Sequence, residues 1–342
     1  MLRHKIITIL AVLKTKFNIY REYLRARSNN FSSTNLDIIL ICLAGFLFLY
    51  YILGALLTHR IDRHVDLEIT PVPPQQSQTV DMLAYLVDQE VNEKIWTPNL
   101  PFFFPASILD NMPNYQLGIM NGLSKLATAF EKCVDRHLPN KENNSKLYRA
   151  AALLRYPGTI WMFDPHNKIK PMPSAAIQYR KARRLLNKYN QALGSGKIVF
   201  DKKPEDLSFM LRKIKQTLQQ SANQLNASIR ENSSTLFDFK ADDIFYYNQG
   251  KLYAYSMLVK ALGYDYKQMI VDYNQYSNWI SLTKTLETAC QIDPWIIRNA
   301  SLSSSFAPNH LAYLNNSILK AQNLLGKIAD SFEKPLLPKE KQ

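Results

Sequence analysis

Ile38-Ile39-Leu40-Ile41-Cys42-Leu43-Ala44-Gly45-Phe46-Leu47-Phe48-Leu49-Tyr50-Tyr51-Ile52-Leu53-Gly54-Ala55-Leu56-Leu57-Thr58 contains no charged residue. A helix over this stretch spans roughly 30 Å, the thickness of a bilayer's hydrocarbon core. No other run in the chain matches it, so it separates a short N-terminal part from a long C-terminal one.

On the N-terminal side, Ile6-Ile7-Thr8-Ile9-Leu10-Ala11-Val12-Leu13 is flanked by Arg3, Lys5, Lys14 and Lys16. It has the apolar core of a signal peptide, but no small-residue cleavage site follows, and it is too short to span. Phe17, Tyr20, Tyr23 and Leu24 set against Lys14, Arg21, Arg25 and Arg27 read as an amphipathic helix lying on a membrane surface, or else on another protein. Seven Lys/Arg precede the span, whereas Arg60 and Arg63 follow it among Asp62, Asp66 and Glu68. That asymmetry places the N-terminus in the cytoplasm and the long C-terminal part on the other side.

On the C-terminal side, Pro71, Pro73, Pro74 and nearby glutamines describe an extended linker. Beyond it glycine is scarce and helical spacing recurs. Val80, Leu83, Val87 and Val91 share one face, as do Leu117, Met120, Leu123, Ala127, Phe130 and Val134. Ser174 is placed to cap a helix carrying Tyr179, Ala182, Leu186, Tyr189 and Leu193, with Gly194 at its C-terminal end. Further helices start at Pro204, at Asp242-Asp243, near Tyr276 and near Pro308. No strand alternation persists beyond Ile198-Val199-Phe200. The fold class is therefore all-α: one N-terminal transmembrane helix followed by a multi-helix, bundle-like periplasmic domain. The expected organisation is a cytoplasmic basic amphipathic segment over 1–34, a transmembrane helix over 35–59, a Pro/Gln-rich linker over 60–78, a helical periplasmic domain over 79–333 and a disordered tail over 334–342. Two stretches stand out inside the domain. Trp96 to Pro105 is a proline-locked aromatic loop, read as a hydrophobic lid over the core or as a lipid- or partner-binding patch. Cys133 and Cys290 are free core thiols, or a disulfide if their compartment is oxidising.

The formal charge is +14, and the surplus persists beyond the span, which favours anionic partners. Between Pro165 and Phe200 lie eight Lys/Arg and no acid. Helical spacing spreads these around the solvent face instead of into the core, as an ordinary solvated surface or as a surface for an anionic partner. Gly194-Ser195-Gly196-Lys197 lacks the glycine spacing and strand–loop–helix context of a phosphate loop and reads as a helix-ending turn. The six histidines show no metal-ligand spacing, and no Gly-x-Ser-x-Gly elbow occurs. Asp164-Pro165-His166 is the one place where an acid and a titratable base share an aromatic, proline-framed loop, a candidate catalytic pair or simply a capped turn. Asp242-Asp243 reads as helix-start acids favoured by the dipole.

Asp110-Asn111-Met112-Pro113-Asn114-Tyr115-Gln116, the Pro173-Ser174 to Tyr179-Arg180 segment, Asp242-Asp243-Ile244-Phe245-Tyr246 and the helix after Asn309 together resemble a family of bacterial envelope proteins classed only as a domain of unknown function, family 2333. The resemblance implies an inner-membrane protein of Gram-negative bacteria with one N-terminal span, and it brings no activity, cofactor or catalytic residue. The leading expectation is a binding or scaffold module of the bacterial envelope rather than an enzyme. It would sit against the lipid bilayer and contact an envelope protein or an anionic glycan or lipid through Tyr179, Arg180, Arg183, Arg184 and Lys188, without metal or cofactor and without nucleic acid. Two alternatives stand beside it. One is a membrane-tethered enzyme acting on peptidoglycan or lipid, with Asp164 and His166 as acid and base. The other reverses the topology and makes the basic domain a cytoplasmic binding domain.

Overall fold

The computed structural model of the chain describes residues 14–23, 33–59, 61, 65, 69–137, 141–164, 167–231, 239–294, 297–299 and 309–335. Its backbone divides into two compact units, residues 1–56 and 57–342.

In the first unit, residues 14–23 form helix α1, with Phe17, Ile19, Tyr20 and Tyr23 exposed. Helix α2 follows over Ser33–Thr58. Within it, Leu36–Thr58 is long and apolar enough to cross a membrane, and its apolar side chains are exposed on every side, Ile41 and Leu56 among them. A helix apolar all round needs an apolar surrounding, in protein or in lipid.

The second unit is all-α apart from one small hairpin. In chain order its helices are α3 (Gln78–Asp88), α4 (Asn111–His137), α5 (Lys141–Leu154), α6 (Ala175–Gly194), α7 (Pro204–Glu231), α8 (Phe239–Asp265), α9 (Lys267–Asp272), α10 (Tyr276–Cys290) and α11 (His310–Ser331). A π-helical turn, Gln89–Glu93, extends α3, and a 3-10 turn covers Pro105–Ile108. Strands β1 (Phe163–Asp164) and β2 (Asn167–Pro171) pair antiparallel. Sequence alternation had pointed to Ile198–Phe200 as the last trace of strand. The hairpin lies earlier, in a stretch too short and too proline-rich to show a period of two.

Helix α8 is the axis of this unit. It packs against α4, α10 and α3, while α11 lies along α7 and α6 bridges α5 and α3. Leu252, Ala254, Tyr255, Met257, Leu258 and Val259 are all buried, so α8 has no solvent face over this length. The α4–α8 crossing is set by glycine. A Cβ on Gly118 would stand 2.0 Å from the Tyr247 carbonyl oxygen, and one on Gly250 would stand 2.0 Å from that of Tyr115. Each helix thus presses backbone to backbone against the other, which only a residue without a side chain permits.

Helix boundaries follow local chemistry and, at two ends, distant chemistry. Ser77 caps α3, its hydroxyl accepting from Val80 N–H at 3.2 Å. The remaining free N–H groups of that end are met by Asp265 at the far end of α8. Its carboxylate accepts from Gln78 N–H at 2.9 Å, Thr79 N–H at 2.9 Å and the Ser77 hydroxyl at 2.7 Å. A carboxylate at a helix N-terminus satisfies orphan donors and meets the positive end of the dipole. At the other distant cap, the Gln249 amide donates to the carbonyls of Cys290 (3.2 Å) and Ile292 (2.6 Å), just past α10. Asn309 caps α11 through Ala312 N–H at 2.8 Å. Gly194 is the last residue of α6 rather than its cap. The left-handed residue that turns the chain is Gly196, with φ 68°, because there the backbone reverses and a Cβ would be strained.

Chain leading into α3 is docked on the second unit: Val65 and Ile69 are buried in its core, and Val72 N–H bonds the Gln78 side chain at 3.1 Å. Cys133 and Cys290 are both buried and form no disulfide, and the Cys133 thiol donates to the Asp206 carbonyl at 3.7 Å.

Candidate functional site

Helix α6 owes its position to alternate sides of its sequence. Ser174 caps it through Ile177 N–H, and Ala175, Tyr179, Ala182, Leu186, Tyr189 and Leu193 form the buried stripe. Tyr179 therefore does not belong to an exposed contact surface. It is 2% exposed, its hydroxyl donates to the Tyr156 carbonyl at 2.7 Å, and its ring meets Trp96 edge-on at 5.1 Å. Burial pushes the phenol well above its ordinary range, so it stays neutral.

The basic residues of α6 sort into two groups. Arg180 and Arg183 face the end of α3. The Arg180 guanidinium donates to the Asn92 side-chain oxygen at 2.8 Å and to the Val91 carbonyl at 2.7 Å, where carbonyls at the end of the π turn lack helical partners. Arg183 pairs with Asp88 at 2.7 Å. Both hold α6 against α3. Arg184 and Lys188, with Lys181 on the same stripe, face the other way, toward α5. Together with Arg149 they line a groove of about 420 Å³ whose floor is Ala152, Leu153 and Leu185. Among the described residues no carboxylate lines it. Four cations around an apolar floor lower the local potential energy of an anion and leave room for an apolar stem beside it.

The Asp110-Asn111-Met112-Pro113-Asn114 and Asp242-Asp243 stretches converge at the N-terminal ends of α4 and α8. Asn114 donates to Asp243 at 2.7 Å, and the Asn111 amide, in the orientation that satisfies both carboxylates, bridges Asp110 (3.1 Å) and Asp242 (2.6 Å). Burial first, then the charges of Asp110 and Asp243, raise Asp242 to about 7. Burial and Asp110 also raise Asp243, opposed by the Asn114 hydrogen bond. Asparagine amides thus bridge carboxylates that would otherwise repel. Among the described residues no cluster of His, Cys, Asp or Glu is arranged to hold a metal ion. Two residues further on, Gln116 accepts from Thr97 N–H and its hydroxyl (2.8 and 2.7 Å) and donates to the fully buried Glu90 at 3.1 Å, tying the aromatic loop to the π turn.

The aromatic loop is not a lid over the core. Trp96 is its buried anchor, donating to the Gly158 carbonyl at 2.9 Å, while Phe102 is 83% exposed and Phe103 and Phe104 are exposed too. A turn from Pro101 to Phe104 folds the triplet outward. Phe103 meets the exposed Trp161 edge-on at 6.1 Å. Asp164 ends strand β1. His166, its proposed catalytic partner, lies outside the described residues.

The chain carries one helix long and apolar enough to cross a membrane, Leu36–Thr58, ahead of an almost entirely helical unit. Residues 101–238 match the family model of an uncharacterized protein conserved in bacteria (DUF2333). Of the four stretches that carried the resemblance, Asp110–Gln116 and Pro173–Arg180 fall inside that match, and Asp242–Tyr246 and the helix after Asn309 fall beyond it. No curated protein and no solved structure matches the chain.

Proposed function

We propose that the chain is a single-pass inner-membrane protein of the bacterial envelope, its N-terminus cytoplasmic, whose helical unit acts in the periplasm as a scaffold or interaction module. The anionic partner, an acidic envelope protein or glycan, lies along the α5–α6 groove. The observation that carries this reading is the separation of the α6 cations. Arg180 and Arg183 are engaged within the protein, whereas Arg149, Lys181, Arg184 and Lys188 line a groove that has no carboxylate among its described residues. Cations of a merely solvated face are usually interleaved with acids at helical spacing; these are not.

In-cell photocrosslinking from position 185, on the groove floor, tests this. Lys181→Glu, Arg184→Glu and Lys188→Glu combined abolish the crosslinked species, while Arg183→Glu, which breaks an internal pair, lowers stability instead. An unchanged crosslink pattern in the triple variant removes the groove assignment.

A further inference from the structure

We propose that the occupant of the α5–α6 groove is an acidic amphipathic helix of a protein partner, its carboxylates flanking an apolar stripe. The inference rests on the reading of this groove as an anion-binding surface and narrows it to one class of ligand.

The walls decide the shape of the occupant. Both are helices, α5 and α6, packed against each other along the groove. Mid-helix N–H and C=O groups are spent within each helix, so these walls offer a ligand side chains only. An extended peptide brings a row of backbone donors and acceptors and needs a sheet edge to pair them. A helix satisfies its own backbone and asks for side chains alone. At about 420 Å³ the groove cannot take in a whole helix, about 10 Å across, but it accepts the side chains of one face.

The lining decides the chemistry. Its floor, Ala152, Leu153 and Leu185, is aliphatic and half-buried. A glycan needs hydrogen-bonding partners for its many hydroxyls. Among the described residues this lining holds one neutral polar side chain, Gln178, and neither a hydroxyl nor an aromatic ring. Leucine-sized side chains suit such a floor better than sugar hydroxyls do. Above it, Lys181, Arg184 and Lys188 repeat at spacings of three and four along about 10 Å of the α6 axis, with Arg149 on the α5 wall. Among the described residues none of these four cations forms an ion pair. Glutamates at the same spacing on a partner helix match that row while its leucines meet the floor.

The test measures binding of three fluorescent probes to the full chain in nonionic micelles, with empty micelles as the blank. One probe is a lactam-stapled helix with leucines on one face and glutamates beside them. The second has the same composition with its leucines scattered around the helix, and the third is polygalacturonate, an anionic glycan. The ordered helix binds about tenfold more tightly than the scattered one, the weight of burying one leucine. Ala152→Phe, which fills the floor and leaves every cation in place, removes that advantage. Lys181→Gln, Arg184→Gln and Lys188→Gln combined weaken binding of all three probes. Unchanged helical circular dichroism qualifies each variant, and the milder Ala152→Gln replaces Ala152→Phe if that one fails. Equal binding of the two peptides, tighter binding of polygalacturonate, or full binding by the filled-floor variant overturns the helical occupant while the anion-binding groove stands. No binding of any probe, or binding untouched by the triple variant, overturns both.

Discussion

Helices α2 and α8 are nearly equal in length, and neither has a polar stripe, yet they are matched to opposite surroundings. The difference lies in what each carries between its apolar residues. From Ile38 to Thr58, α2 has no charge at all. Over its buried length α8 holds Asn248, Gln249, Lys251 and Ser256, and three of these have protein partners. Asn248 donates to the Ile244 carbonyl at 2.8 Å, Gln249 closes the end of α10, and the Lys251 ammonium donates to Ser221 at 2.9 Å while lying 4.4 Å from the centre of the Tyr247 ring. Burial, with Lys125 nearby, lowers Lys251 to about 8. Such groups are tolerable only where fixed donors and acceptors replace water. An all-apolar helix with internal polar residues needs protein around it. One without them is suited to lipid.

Glycine breaks the symmetry between the two helices most sharply. Gly250→Ala places a methyl group against the Tyr115 carbonyl, and α4 and α8 must move apart. We expect a loss of about 3 kcal/mol or more, since the obstacle is backbone rather than a side chain that can turn aside. Gly45 in α2 has nothing within 4 Å, so Gly45→Ala leaves the helical unit's unfolding unchanged. Denaturant titration of both variants in detergent checks the contrast. Equal effects would mean that the α4–α8 crossing is looser than its geometry requires.

A smaller effect sharpens the comparison at the start of α8. Asp242 is raised in the folded protein to about 7 from an ordinary 3.8, so the folded state binds its proton more tightly than the unfolded state does. The resulting stabilisation is complete below about pH 4 and is lost as the pH rises through 7. Asp242→Asn retains the neutral form. It raises stability by about 1 kcal/mol at pH 8, after discounting for partial solvent screening, and by nothing at pH 4. Thermal melts at the two pH values decide this, and a gain of equal size at both would assign it to packing.

Local signals were legible in the sequence. The apolar length of α2, Ser174 before α6, Pro204 before α7 and the start of α10 at Tyr276 all stand where residue chemistry puts them. The apolar spacing of α6 also placed Tyr179 on its core face, and that periodicity was a better guide than its neighbourhood of arginines. What could not be read is what folding brings together. Asp265 caps a helix that starts 187 residues earlier, and Arg149 joins the α6 cations from a different helix. The convergence of Asp110 with Asp242 has no local signature either, because each acid alone reads as an ordinary helix-start residue. The Phe102–Phe104 triplet misled for the opposite reason. Hydrophobicity argued for burial, but Trp96 already occupies the core position that the loop can reach.

The central claim is that α2 crosses a membrane and delivers the helical unit to the far side. Fusing alkaline phosphatase, and separately a fluorescent protein that matures only in the cytoplasm, after Gln342 tests it directly in bacterial cells. The account predicts an active phosphatase and a dark fluorescent protein. A bright fluorescent protein with an inactive phosphatase would place the basic domain in the cytoplasm and contradict it.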